Sequence, residues 1–169
     1  GYYERKALLM AKHALGASTY NRMTEYPASS WTDSFAREWC KLFWEEIRRT
    51  DDIFDNGILR VQLSFWKHFT DRFFLLVPYG YNRMIKHEKL KQFAKCTPTE
   101  NANRQGAVTI TPKDGDYTGN CEWWLRYSLC GSGSCVDYDG TDRFVYTGDE
   151  YGMRPCMVID VDQLDLEMV

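Results

Sequence analysis

The stretch EWWLRYSLCGSGSC, Glu122 to Cys135, holds the residues of this sequence best suited to chemistry. Two tryptophans and an arginine lead into small and polar residues bracketed by Cys130 and Cys135. Such a segment serves as a catalytic loop, as a metal clip, or as a loop that a rigid scaffold holds out for binding. Soft thiolates suit metals such as Cu(I). The six cysteines (Cys40, Cys96, Cys121, Cys130, Cys135 and Cys156) contain no C-x-x-C spacing of a zinc ribbon or thioredoxin site. A chain of 169 residues does not need staples. Free, mostly buried thiols are therefore expected. A disulfide such as Cys130–Cys135, or one including Cys121, is the alternative.

Other groups offer less. Asp137, Asp139 and Asp142 in DYDGTD present oxygens of the kind calcium takes, but an EF-hand loop wants glycine sixth and Gly140 stands fourth. A hairpin turn explains Asp139-Gly140 fully, so no metal is expected. His13, His68 and His87 are scattered, with no H-E-x-x-H and no Cys/His zinc spacing. There is no G-x-S-x-G elbow, P-loop or G-x-G-x-x-G fingerprint. CGSGSC lacks the following helix that would cradle phosphate. In a strand, Trp123 and Leu125 would share one face, Trp124 and Arg126 the other. That arrangement suits either a platform for sugars or aromatic ligands, or core tryptophans with a buried arginine. The second is expected. Arg154, just before Pro155, is expected to lock the end of the sheet.

The elements that must position these residues read as helices early and strands late, hence α+β. YYERKALLMAKHALG fits a helix or a strand, and periodicity does not decide between them. ASTYNRMTEYPASS is loop. SWTDSFAREWCKLFWEEIRR is the clearest helix, with Thr32 or Asp33 as cap and Phe35, Trp39, Leu42, Phe43 and Ile47 as its apolar stripe. FFLLVP, residues 73–78, fits a buried strand, and YNRMIKHEKLKQF a short helix. Residues 97–120 read as a surface loop carrying at most one short strand, AVTIT. EWWLRYSL predicts a strand, CVDYDGTDRFVY a hairpin turning at Asp139-Gly140, and MRPCMVIDV a closing strand. A single domain over 1–169 is expected, with an N-terminal half 1–96 and a loop and C-terminal sheet 97–169.

The net charge of -3 gives no electrostatic reason to expect nucleic acid or an anionic membrane. No apolar run approaches the roughly 20 residues needed to span a bilayer. No signal peptide is recognisable. The sequence opens at Gly1 without a methionine, which leaves a removed leader open.

ALLMAKHALGASTYN, SWTDSFAREWCKLFW, TDRFFLLVPYGYNRM and WWLR…VDYDG…YGMRPCMVID occur in that order. Together they resemble DUF6273, a family of bacterial and phage-associated domains. Its pattern runs through Arg-x-Trp-Leu-Asn, T-D-K-hydrophobic-F-L-L-S, W-W-L-R-S-P-G, V-N-x-D-G and G-V-R-P-A-L. The departures are Trp39-Cys40-Lys41, Arg126-Tyr127-Ser128-Leu129 and Arg154-Pro155-Cys156-Met157. The family is similar to C-type-lectin-like domains, including those related to formylglycine-generating enzyme. The resemblance implies a small twisted antiparallel sheet, two flanking helices and a long loop region. It also implies the enzyme alternative, a copper- and oxygen-dependent oxidase using Cys130 and Cys135. The residues between them lack that enzyme's basic and aromatic context.

Residues 127–151 are rich in Tyr, Ser, Gly, Asp, Thr and Cys. Paratopes use the same vocabulary: Tyr offers large contact area at low entropic cost, and small polar residues supply adaptable hydrogen bonds. Randomised adenines in Asn codons yield a similar set, and some lectin-like domains are diversified that way by retroelements. The expected reading is a non-catalytic module that needs no cofactor and binds a protein or glycan. Tyr127, Ser128, Ser132, Ser134, Asp137, Tyr138, Asp142, Arg143, Tyr146 and Asp149 would be its contact residues. Trp123, Trp124, Arg126 and Arg154, with Leu125, Gly152 and Pro155, would be the frame. A bacterial surface or a virion would suit such a module.

Overall fold

A computed structural model describes residues 6–21, 31–50, 58–59, 61–62, 70–107 and 119–161. The architecture is α+β, with two main sheets, few helices and no closed barrel. The ambiguous opening segment holds one strand, β1 (Lys6–Met10), and a second, β2 (Gly16–Thr19), runs from its last residue into ASTYNRMTEYPASS, correcting the loop expected there: Gly16 to Thr19 pair with Met153 to Glu150. α1 (Phe35–Thr50) follows. Then come short strands β3 (Ile58–Leu59), β4 (Val61–Gln62) and β5 (Thr70–Asp71), and helices α2 (Pro78–Ile85), α3 (Glu88–Lys91) and α4 (Glu100–Arg104). The last third supplies β6 (Trp123–Leu129), β7 (Ser132–Val136), β8 (Asp142–Tyr146), β9 (Glu150–Met153) and β10 (Cys156–Asp160).

The larger sheet has the order β2-β9-β6-β7-β8. All its pairings are antiparallel except β6–β9, so it is mixed rather than purely antiparallel. The second sheet, β1-β10-β3, is antiparallel, and β4 pairs with β5. The closing segment is therefore two strands. Pro155 has no N–H to give a ladder, and the chain passes there from the large sheet to the small one. Alternation along β6 divides the core. Trp123 and Leu125 pack with Tyr81 of α2 and Ala102 of α4; Trp124 packs with Ala36, Cys40 and Trp44 of α1. The large sheet is thus sandwiched between α1 and the smaller helices.

Several local expectations are corrected. The cap of α1 is Ser34, whose Oγ accepts from Arg37 N at 3.1 Å, rather than Thr32 or Asp33. Ala36, Arg37, Cys40 and Trp44 form its buried line, with Trp39, Phe43 and Ile47 half-buried beside it. Leu42 is exposed; it stands about 200° around the helix from Cys40 at 100° per residue. Residues 73–76 of FFLLVP are buried but join no ladder: Phe74 exchanges two backbone hydrogen bonds with Cys156, at 3.0 and 2.6 Å, as an isolated bridge, and Pro78 already opens α2. YNRMIKHEKLKQF breaks into α2 and α3. Part of the expected surface loop is α4, which Thr99 caps by accepting from Ala102 N at 3.2 Å. AVTIT beyond Ala107, DDIFDNG, His68 and residues 22–30 lie outside the described residues.

Candidate binding face

The opening stretch folds as the β6–β7 hairpin. Leu129 pairs with Ser132 across a two-residue turn, Cys130 at φ 50° and Gly131 at φ 79°. Two positive φ values in a row are what the right-handed twist of a tight hairpin selects. Thr147 clamps the turn, its N and Oγ1 each donating to Gly131 O at 3.0 Å. Further along, an ideal Cβ on Gly133 would lie 2.7 Å from Trp124 Cζ3, so the glycine is required for the indole to cross β7.

Both indoles are structural. Trp123 donates to Ala94 O at 3.1 Å, and Trp124 to Ser18 O at 2.8 Å. Trp124 stands edge-on to Tyr20 and Tyr151, with centroids 5.3 and 4.8 Å away. Arg154 stacks over Trp123 at 4.8 Å and donates to Ala11 O and Phe93 O. Those two bonds tie β1 and the end of α3 to the β9–β10 crossing. Arg126 is half-buried, 5.7 Å from the Phe74 ring and 6.0 Å from that of Trp31. Its Nη1 is buried and has no hydrogen-bond partner among the described residues.

Between Trp124 and Ser128 the register of β6 against β7 shifts. An irregularity of this kind re-aims side chains, and Arg126 N there turns to Leu76 O at 2.8 Å. Beyond it, Tyr127 and Leu129 point to the same side as Ser132, Phe144 and Tyr146, which cross-strand pairing places together. Tyr127 is 41%, Leu129 58%, Phe144 63% and Tyr146 48% exposed. The rings of Tyr127 and Phe144 meet edge to face at 5.9 Å. Four large apolar side chains, two on β6 and two on β8, thus lie open to water across the small Ser132 of β7.

The structure divides the ten expected contact residues. Tyr127, Ser132 and Tyr146 belong to this face, with Asp142 exposed at its far end. Ser134 is a correction: paired with Phe144, it is only 2% exposed and cannot meet a partner. Ser128 is half-buried, pairs with Gly133 and so turns to the Trp124 side of the sheet. Arg143 also projects there, bonding Glu122 and pairing with Asp137 at 2.9 Å. Tyr138 is half-buried in the β7–β8 turn, and Asp149 is exposed in the β8–β9 turn. Leu129 and Phe144 were missed because neither belongs to the polar, tyrosine-rich vocabulary. The alternation Leu129-x-x-Ser132 and Phe144-x-Tyr146 about the hairpins would have exposed them.

Two of the three carboxylates of DYDGTD, Asp137 and Asp139, are used internally. Asp139 Oδ1 accepts from Thr141 N and Oγ1 at 2.8 and 2.7 Å, and the Thr141 amide holds the Asp139 carboxyl below its usual range. Gly140, at φ 92°, supplies the left-handed corner. Glu122 is pushed upward by burial, with Arg143 working against the shift. Among the described residues no group of three His, Cys, Asp or Glu could hold a metal ion.

The copper-binding pair is not assembled. Cys130 is exposed at the hairpin tip, and Cys135 is buried three residues beyond Ser132, about 10 Å along the strand. Burial pushes the Cys135 thiol up to about 12, so it stays protonated. All six cysteines are free. Cys96 and Cys121 lie buried together beside Arg154, with Cys121 N donating to Cys96 O at 2.7 Å. No helix among the described residues is long and apolar enough to cross a membrane.

No curated protein and no solved structure matches this chain. A family model matches instead, over residues 4–161. The chain belongs to DUF6273, a domain of unknown function.

Proposed function

We propose that this chain is a non-catalytic binding module of C-type-lectin-like architecture that meets a protein or glycan partner through the outer face of β6, β7 and β8. The observation that carries the reading is the row Tyr127, Leu129, Phe144 and Tyr146, left open on strands whose opposite side buries Trp124, Cys135 and Val145. Contiguous exposed apolar patches on a folded surface mark interaction sites. Aromatic side chains there bind at low entropic cost. The lectin-like part draws support from β1 and β10, which pair the two ends of the described chain, and from a sheet flanked by helices. On this reading, diversification would act on outward positions such as Tyr127, Ser132, Asp142 and Tyr146, and would spare Ser134. A template repeat differing from the gene only at adenines would carry those codons.

The test compares wild type with Phe144→Ser/Tyr146→Ser for capture of partners from the cells that carry the gene and for binding to a glycan array. Leu42→Ser, equally exposed on α1, is the surface control. Capture should fall about tenfold or more in the double variant, since truncating central aromatic anchors typically costs about 2 kcal/mol or more. It should be unchanged in the control. Equal capture by all three chains would remove the face as the binding site.

A further inference from the structure

A second concavity lies between β1 and the α2–α3 pair, on elements that take no part in the aromatic face. It is a groove of about 620 Å³, within the roughly 300–1,000 Å³ of small-molecule sites. Leu8, Leu9, Leu90 and Phe93 line it and remain substantially exposed. Gly80 keeps one wall low. It sits inside α2, where glycine costs about 0.5–1 kcal/mol relative to alanine, and a Cβ there would approach Leu76 Cδ1 to 3.1 Å.

The charge around this apolar surface has one sign. Every ionisable side chain among the described lining residues is basic: Lys12, Arg83, His87 and Arg154. Arg154 is 1% exposed. It spends Nε on Ala11 O and Nη1 on Phe93 O, and Nη2 has no hydrogen-bond partner among the described residues. Burial works against its charge. A planar guanidinium with an unspent donor at an apolar wall is matched by a carboxylate, which both neutralises it and accepts its hydrogen bond.

We propose that the groove binds a long-chain alkyl carboxylate, its chain along the leucines and Phe93 and its head toward Arg154, with Lys12 and Arg83 at the rim. Calorimetric titration of the full chain with dodecanoate, dodecanol and dodecylammonium, each below its micellar concentration, tests this. Dodecanoate should bind saturably at one site, at least about tenfold more tightly than the alcohol, with the ammonium weaker still. Lys12→Glu/Arg83→Glu alters exposed residues and should keep the unfolding transition while weakening dodecanoate about tenfold. Gly80→Leu should fill the groove and abolish binding of all three probes. Phe144→Ser should leave dodecanoate binding unchanged, setting this site apart from the aromatic face. The proposal is overturned by absence of saturable binding, by equal affinity for dodecanoate and dodecylammonium, or by full affinity in the Lys12→Glu/Arg83→Glu chain.

Discussion

Asp71→Asn probes how α1 is held against the rest of the fold. Asp71 and Arg37 are both buried, and every oxygen of the carboxylate is engaged. Oδ1 accepts from Arg37 Nε and Nη2 at 3.0 and 2.8 Å; Oδ2 accepts from Arg37 Nε at 2.9 Å and from Trp31 Nε1 at 3.0 Å. Asparagine keeps the shape, but removes the charge and turns donor hydrogens toward a guanidinium. Arg37 then loses the Asp71 carboxylate, and breaking one side of a buried ion pair costs about 3–5 kcal/mol. For a chain of this size, about 2–4 °C per kcal/mol converts this into a fall in Tm of about 6–20 °C. Thermal and urea unfolding followed by circular dichroism read both numbers.

The double variant Arg37→Met/Asp71→Leu separates charge from packing. Apolar side chains of similar volume commonly replace a buried ion pair without loss. Most of the stability should return, short of the bonds from Arg37 Nη1 to Thr32 O and from Trp31 Nε1 to the carboxylate. If Asp71→Asn costs less than about 1 kcal/mol, or the double variant is no better than the single one, the ion pair is not what seats the helix and the reasoning fails.

Gly133→Ala drives a methyl against Trp124, which Tyr20 and Tyr151 hold on both sides. Net destabilisation of about 1–3 kcal/mol is expected in urea, and a neutral or stabilising result would contradict the packing described. Iodoacetamide should label Cys130 rapidly in the native chain, because the other five thiols are buried. Peptide mapping reads this, and comparable labelling of a second cysteine would contradict it. Stability should fall above pH 9. Burial raises the Cys156 thiol from 9.0 to about 12, so the unfolded chain ionises it first. The contribution is complete below pH 9 and is lost as pH climbs toward 12, by up to about 1.4 kcal/mol per pH unit for this one group. Cys156→Ala should flatten the urea midpoint between pH 8 and 10.5, and an unchanged slope would assign the loss to other groups.

Strand and hairpin signals in the last third were legible because they are local. Asp139-Gly140 demands a left-handed corner whatever surrounds it, and Trp123-Trp124 alternates wherever β6 lies. The long helix α1 was legible from its period, but not its orientation. Phe35 and Leu42 look like core in a list of spacings, whereas the surface that α1 meets selects Ala36, Arg37, Cys40 and Trp44. Arg37 was hidden because a buried arginine is identifiable only with its partner, and Asp71 stands 34 residues away. The split at Arg154-Pro155 was hidden for a similar reason. MRPCMVIDV reads as one strand, and only the two neighbours, β2 for its start and β1 for its end, separate it into two. The free, mostly buried thiols were legible, whereas the Cys130–Cys135 alternative rested on spacing alone. Closeness in sequence puts Cys130 and Cys135 on a tip and in a core, while Cys96 and Cys121, far apart in the chain, lie together.

The division of labour within the C-terminal sheet follows from where polar atoms are spent. Trp123, Trp124, Arg154 and Thr147 each give donors to buried or partly buried backbone carbonyls that would otherwise go unpaired. Such groups cost about 1–3 kcal/mol each when orphaned, so these residues hold the strands and cannot also vary. Leu129, Phe144 and Tyr146 carry no such duty. Their strands are registered by backbone ladders and by the packing of Trp124, Cys135 and Val145 on the far side. A surface whose chemistry is independent of the forces that fold it can change its ligand without changing its shape. That separation, more than any single side chain, makes the outer face of β6, β7 and β8 suited to recognition.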